Sequence, residues 1–240
     1  MKPACGRSAR HFTSSIVMTF SLVGRCARTG RLGAAVTTSS IAVGSRCQHA
    51  RAGVGAALTQ HRTDPRLGPL ALDLLARGFT ADEAMKAIVA ATPYRNWRQL
   101  AVIDAAGRTA VYSGAHVRGA RGEAQGRDCA AIANIVRSET IPRTMVERFE
   151  RSPDRPLAQR LVEALAAGEA AGGERVPVMS AALIVVDKES FPYVELRVDD
   201  HLTPIVELSR LRSLYQTEAD AYVTRTVDPE QASPPPNMAR

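Results

Sequence analysis

Strand-like and helix-like segments come in blocks along this chain of 240 residues, and that grouping narrows the fold more than any single motif. Residues 19–23 (Thr-Phe-Ser-Leu-Val) read as a strand, 28–31 (Arg-Thr-Gly-Arg) as a turn and 32–37 as a second strand. A short apolar piece at 41–44 precedes residues 50–60, which read as a third strand where Gly53 and Gly55 let another backbone approach. Two helices follow. Leu67, Leu70, Leu74 and Leu75 recur at helical spacing over 66–77, with Gly78 closing the helix. Thr80 and Glu83 then stand at capping-box spacing at the head of the second, which Pro93 stops. Residues 99–113 have a hairpin pattern, the Gly-rich stretch 114–126 reads as loop, and 128–136 as a buried strand. Helical patterns return at 143–150 and 157–167, strands at 180–187 and 193–198, and a long amphipathic helix over 203–222 with Pro204 in its first turn. Blocks of this kind imply α+β layers and not a strict βαβ alternation. The expected organisation is one domain over 19–223 with a disordered, Pro-rich tail over 224–240.

Composition excludes several classes of function. Aromatic residues make up only 5% of the chain, which suits close backbone packing better than a stacking surface for single-stranded nucleic acid. The net charge is +7, and no acidic residue precedes Asp64. The nine basic residues before it, from Lys2 to Arg62, are isolated among Ala, Ser and Gly, not gathered into a stripe, so neither a nucleic acid nor a membrane partner is expected. Cys5, Cys26, Cys47 and Cys129 form no C-x-x-C pair and fit neither a zinc site nor a disulfide framework, as in a reducing cytoplasm. No apolar run reaches bilayer-spanning length. The first seventeen residues are rich in Arg and Ser and lack acids. Three readings fit residues 1–18: a mis-assigned start, a removable leader or a disordered tail. A start at Met18, directly before a strand-like run, is preferred.

Several separated motifs occur in order: Met18-Thr19-Phe20-Ser21, Ala50-Arg51-Ala52-Gly53-Val54-Gly55-Ala56 with Thr59-Gln60 close behind, and Thr63-Asp64-Pro65-Arg66-Leu67-Gly68. They continue with Gly168-Glu169-Ala170-Ala171-Gly172-Gly173, Ser180-Ala181-Ala182-Leu183 and Leu196-Arg197-Val198-Asp199-Asp200-His201. From Met18 to about Tyr215 the chain resembles the bacterial and archaeal family called domain of unknown function 1028, of the N-terminal-nucleophile (Ntn) hydrolase superfamily. The resemblance implies a four-layer α-β-β-α sandwich of Ntn-hydrolase type, with two antiparallel sheets face to face and helices outside. It also implies that the functional chain begins with Thr19 on the first strand.

A threonine in first position has its own base. Its hydroxyl is a weak nucleophile until a proton is removed, and a free α-amine, with an ordinary pKa of about 8, is partly neutral at physiological pH. The implied function is amide-bond hydrolysis of a small nitrogen-containing metabolite or short peptide, with no metal or organic cofactor. The alternative is a non-catalytic assembly or ligand-binding protein on the same scaffold. Ser21 shares a strand face with Thr19 and can assist proton transfer, or simply bond to backbone. Thr38, Ser39 and Ser40 end the second strand, and Ser39 is the preferred pocket residue among them. Asn134, in an apolar stretch, can donate to an oxyanion or tie strand to loop. Arg51 can hold a substrate carboxylate or form a structural ion pair. Asp199, Asp200 and His201 are adjacent and point to different faces, so they suit a helix-capping turn better than a metal site. The C-terminal helix and tail offer a surface for homo-oligomer contacts, with packing on the domain's own core as the default.

Overall fold

The computed structural model describes residues 18–232. Along the chain they form β1 (Thr19–Arg25), β2 (Leu32–Thr38), β3 (Gln48–Arg51), β4 (Gly55–His61), α1 (Leu67–Ala76), α2 (Ala81–Ala91), β5 (Arg98–Asp104), β6 (Thr109–Ser113), β7 (Ala120–Gly126), β8 (Cys129–Val136), α3 (Ile141–Glu150), α4 (Leu157–Ala170), β9 (Ser180–Val186), β10 (Val194–Val198), α5 (Pro204–Gln216) and α6 (Ala219–Val227). The strands make two antiparallel sheets, one of six in the order β10-β9-β2-β1-β8-β7 and one of four in the order β3-β4-β5-β6.

Alternation along the strands decides what each face meets. On β1, Phe20 and Leu22 join a core with Met145 and Phe149 of α3 and Leu161 and Leu165 of α4. Val23 turns the other way, into a core shared with Leu58 of β4 and Ile103 of β5. Cys26 and Cys129 fall in the helix-facing core and Cys47 in the inter-sheet core, all three as free thiols, while Cys5 lies outside the described residues. The outer face of the four-stranded sheet is covered by Leu72 and Leu75 of α1 and Met85 and Ile88 of α2. The central strands β1, β2, β8 and β9 are therefore covered on both faces, which is why they read as near-continuous runs of small and apolar residues. Small residues let the layers close up. At Gly33 an added Cβ would run into the Ile184 carbonyl oxygen of β9.

Three sequence expectations need correction. Residues 50–60 are not one strand but parts of β3 and β4, reversed by a turn in which Gly53 takes φ +67°, a conformation glycine reaches without a Cβ penalty. The Gly-rich stretch 114–126 is not all loop, because residues 120–126 form β7 at the edge of the larger sheet. Its half-exposed, polar alternation is that of an edge strand. The long helix over 203–222 is two helices, α5 and α6, separated at Thr217 and Glu218, and α6 runs to Val227, past the expected start of the tail. Of the expected leader over 1–18, residues 1–17 lie outside the described residues, as does the end of the tail over 233–240, while Met18 is described and buried. Among the described residues no helix is long and apolar enough to cross a membrane.

The capping box of α2 is formed as read. The Thr80 hydroxyl accepts from the Glu83 amide at 3.3 Å, and the Glu83 carboxylate accepts from the Thr80 amide at 2.7 Å. Thr80→Ala is expected to lower stability by about 1 kcal/mol, measured by urea unfolding, with no change in the unfolding slope.

Candidate functional site

The layer between the two sheets is apolar along most of its length and polar at one end. The strand registers cause this. Thr19 opens β1 and lies opposite Thr38 of β2 on one side and Asn134 of β8 on the other. Two residues on, Ser21 points across the layer, and its hydroxyl donates to Gln60 Oε1 of β4 at 2.7 Å. Gln60 is in turn the register partner of Gln99 on β5. Six polar side chains from both sheets, all 2% exposed or less, thus meet at one end of an otherwise hydrocarbon layer: Thr19, Ser21, Thr38, Gln60, Gln99 and Asn134.

Buried polar groups need partners, and most of these find them in one network. Gln60 Nε2 donates to Gln99 Oε1 at 2.7 Å. Asn134 Nδ2 donates to the same oxygen at 2.9 Å. Gln99 Nε2 donates to the Ser113 hydroxyl at 2.9 Å and to the Ala133 carbonyl at 3.0 Å. The Thr19 and Thr38 hydroxyls are 3.2 Å apart, and Thr38 Oγ1 also donates to the Met18 carbonyl. Asn134 Oδ1 is buried without a hydrogen-bond partner.

Backbone strain flanks this network. Ile135, directly after Asn134, has φ +55°, and His61, directly after Gln60, has φ +68°. A β-branched residue in the left-handed region is a genuine outlier. Ile135 is the extra residue of a bulge, since the β7–β8 register jumps from Ala120↔Val136 to Arg121↔Asn134. Each such residue costs about 1–3 kcal/mol, and strain of this kind gathers at functional sites.

Met18 stands directly ahead of β1. It is 6% exposed, its amide donates to Ser39 Oγ at 3.4 Å, and the Arg175 amide lies 3.3 Å from its sulfur. Behind Ser39 sits Glu174, whose Oε2 accepts from the Ser39 amide at 2.9 Å. Burial pushes the Glu174 carboxyl up to about 9, offset in part by the Ser39 bond.

The structure therefore brings Thr19, Ser21 and Asn134 together and puts Ser39 beside Met18, one step removed from the Thr19 hydroxyl. Arg51 is elsewhere. It pairs with Asp73 at 2.8 Å on the surface at the far end of β3 and does not join this network. Asp199 pairs with Arg197, and His201 Nδ1 accepts from the Thr203 amide at 3.0 Å; neither caps α5, whose N-cap Thr203 makes no side-chain capping bond. Among the described residues no group of three His, Cys, Asp or Glu side chains is placed to hold a metal. Gln60, Gln99 and Glu174 were not singled out as site residues from the sequence. A glutamine closing an otherwise apolar strand, as in Leu58-Thr59-Gln60, was the available signal.

A cleft of about 490 Å³ opens at the opposite end of β1, lined by Arg25, Arg28, Arg127, Asp128, Glu150 and Arg160 among others. It shares no residue with the polar network.

No curated protein matches the chain. Among solved structures, the chain is similar to the crystal structure of protein SPO2555 from Silicibacter pomeroyi, itself assigned to the DUF1028 family model. The TM-score is 0.75 at 29% identity, covering 84% of this chain and 89% of that one. Anbu (ancestral beta-subunit) from Yersinia bercovieri aligns with a TM-score of 0.42 at 13% identity, over 84% of this chain and 96% of that one. The model for a family of unknown function, DUF1028, matches residues 19–208, from the first residue of β1 into α5, and the chain belongs to that family.

Proposed function

We propose that this protein is an amide-bond hydrolase of the Ntn type, that its two sheets and flanking helices form the four-layer α-β-β-α sandwich of that superfamily, and that Thr19 is the nucleophile once residue 18 is gone. The observation that carries the reading is the position of Thr19. It is the first residue of β1, with its hydroxyl buried at the polar end of the inter-sheet layer, 3.2 Å from the Thr38 hydroxyl.

The chemistry follows from a free α-amine. The amine takes the hydroxyl proton as Thr19 Oγ1 bonds to the carbonyl carbon of the substrate. The Asn134 amide, opposite Thr19 in register, is a donor for the oxyanion. Collapse breaks the C–N bond, and the protonated amine returns its proton to the departing nitrogen. Water then hydrolyses the ester with the amine again as base. While Met18 is attached the nitrogen of Thr19 is an amide and cannot act as a base. The substrate class is a small nitrogen-containing metabolite or short peptide.

A chain beginning at Thr19 keeps every strand and helix of the domain. Intact-mass labelling with a β-lactone tests the proposal on it. The expected result is one adduct at Thr19 that hydroxylamine removes, as an ester requires, and no adduct on a chain that retains Met18. A chain starting at Thr19 that stays unlabelled and cleaves no member of a broad amide panel overturns it in favour of a binding or assembly role.

A further inference from the structure

Glu174 has no place in the acyl-transfer scheme, yet it is a buried acid with one oxygen unpartnered beside the site. It is 5% exposed. One carboxylate oxygen is held by the Ser39 amide at 2.9 Å, and the other is buried with no partner. None of the ion pairs among the described residues includes it; Arg137, on the neighbouring segment, turns its guanidinium to the main-chain carbonyls of Glu174 and Arg175 at 3.0 and 3.1 Å. An acid buried without a cation or a full set of donors is costly, so its unpartnered oxygen points to a ligand.

The ligand's place is marked by Met18. The Met18 amide reaches the hydroxyl of Ser39, the same residue whose amide holds Glu174, and the Met18 sulfur lies against the amide of Arg175, the residue after Glu174. The side chain of residue 18 and the Glu174 carboxyl therefore share one wall, formed by Ser39 and the 174–175 segment. Removing residue 18 frees the Ser39 hydroxyl, the Thr38 hydroxyl that donates to the Met18 carbonyl, and the Arg175 amide at the same moment as it frees the α-amine of Thr19.

We propose that the space filled by Met18 is the substrate pocket of the mature site, and that Glu174 makes it selective for a substrate carrying an aliphatic amino group beside the scissile amide. This inference rests on the reading of Thr19 as the free N-terminal nucleophile. Excision of methionine then has two effects, uncovering the base and opening a pocket whose acid awaits an ammonium group. The Glu174 carboxyl bonds the Ser39 amide directly, and Glu169, on the last turn of α4, is also pushed up by burial.

The test uses n-butylammonium chloride as the probe, with sodium butyrate and n-butanol as controls, on three proteins: the chain beginning at Thr19, its Glu174→Gln variant, and the chain retaining Met18. The expected result is a rise in Tm of about 3 °C at ten times Kd for the first protein only, and none with the controls. n-Butylammonium should also slow β-lactone labelling of Thr19 in that protein. Equal shifts in the Glu174→Gln variant, or in the chain that keeps Met18, overturn the pocket. If Thr19 is labelled but n-butylammonium neither raises Tm nor protects, the pocket is wrong and the nucleophile stands. If n-butylammonium binds through Glu174 while Thr19 is never labelled, the pocket stands and the hydrolase reading fails.

Discussion

Thr19→Ala in a chain that starts at residue 19 is expected to abolish hydroxylamine-labile labelling, and Thr38→Val to slow it by about 10²-fold, the lower range for a lost proton-transfer partner. The first effect is total because no neighbouring group can replace the oxygen. Ser21, the nearest hydroxyl on the same strand face, is committed to Gln60 Oε1 at 2.7 Å, and its register carries it two pairs deeper into the layer. The second effect is partial because Thr38 does not react. With residue 18 present its hydroxyl is divided between the Met18 carbonyl and Thr19 Oγ1. With residue 18 removed only Thr19 Oγ1 remains of those two, and the hydroxyl is placed to carry a proton between the nucleophile and the amine. The labelling rate should rise with pH through an ordinary α-amine pKa of about 8 and then level off. Time-resolved intact-mass spectrometry reads all three quantities. A Thr38→Val protein labelled at the parent rate, with the same pH profile, removes Thr38 from the proton path and leaves the amine acting alone.

The sequence made Thr19 legible and left its partners mostly hidden, for reasons that lie in the geometry of sheets. A threonine at the head of a first strand stands out by position. Which member of Thr38-Ser39-Ser40 meets it depends on where β2 ends and on the parity of its register, and a shift of one residue exchanges faces. The register sets Thr38 opposite Thr19 and leaves Ser39 just beyond the strand, against Met18 and Glu174. Gln60 and Gln99 come from the other sheet. Gln99 lies 35 positions from Asn134, and nothing local reveals that strands from separate sheets will face each other. Local chemistry was readable wherever it was self-contained, as in the Thr80 capping box and the β5–β6 hairpin. It misled where one residue type has two uses. Glycine at position 53 reverses the chain, although the same residue in an Ala-rich run reads equally as a close approach of backbones.

The chain that retains Met18 is expected to lose stability as pH rises, and Glu174→Gln is expected to remove that part of the loss. Burial lifts the Glu174 carboxyl from 4.5 to about 9, so across that interval the folded state holds a proton that the unfolded state has released. Stability from this group is fully present below the unfolded value of 4.5 and is lost as pH climbs toward 9. At 1.36 kcal/mol for each unit, moving from about pH 5.5 to about pH 8 weakens the folded state by roughly 3 kcal/mol through this one side chain. Glutamine keeps the shape and cannot ionise, so the variant should lack this component and be the more stable protein at pH 8. Glu169, also raised by burial, contributes a slope of the same sign to both proteins and cancels in the comparison. Urea unfolding of parent and variant at the two pH values measures the difference, and parallel pH dependence in the two proteins rules out an uncharged Glu174. The same experiment on a chain starting at Thr19 should give a shallower slope. On the proposed reading, removing residue 18 lets water reach the carboxyl and lowers its pKa toward the ordinary range.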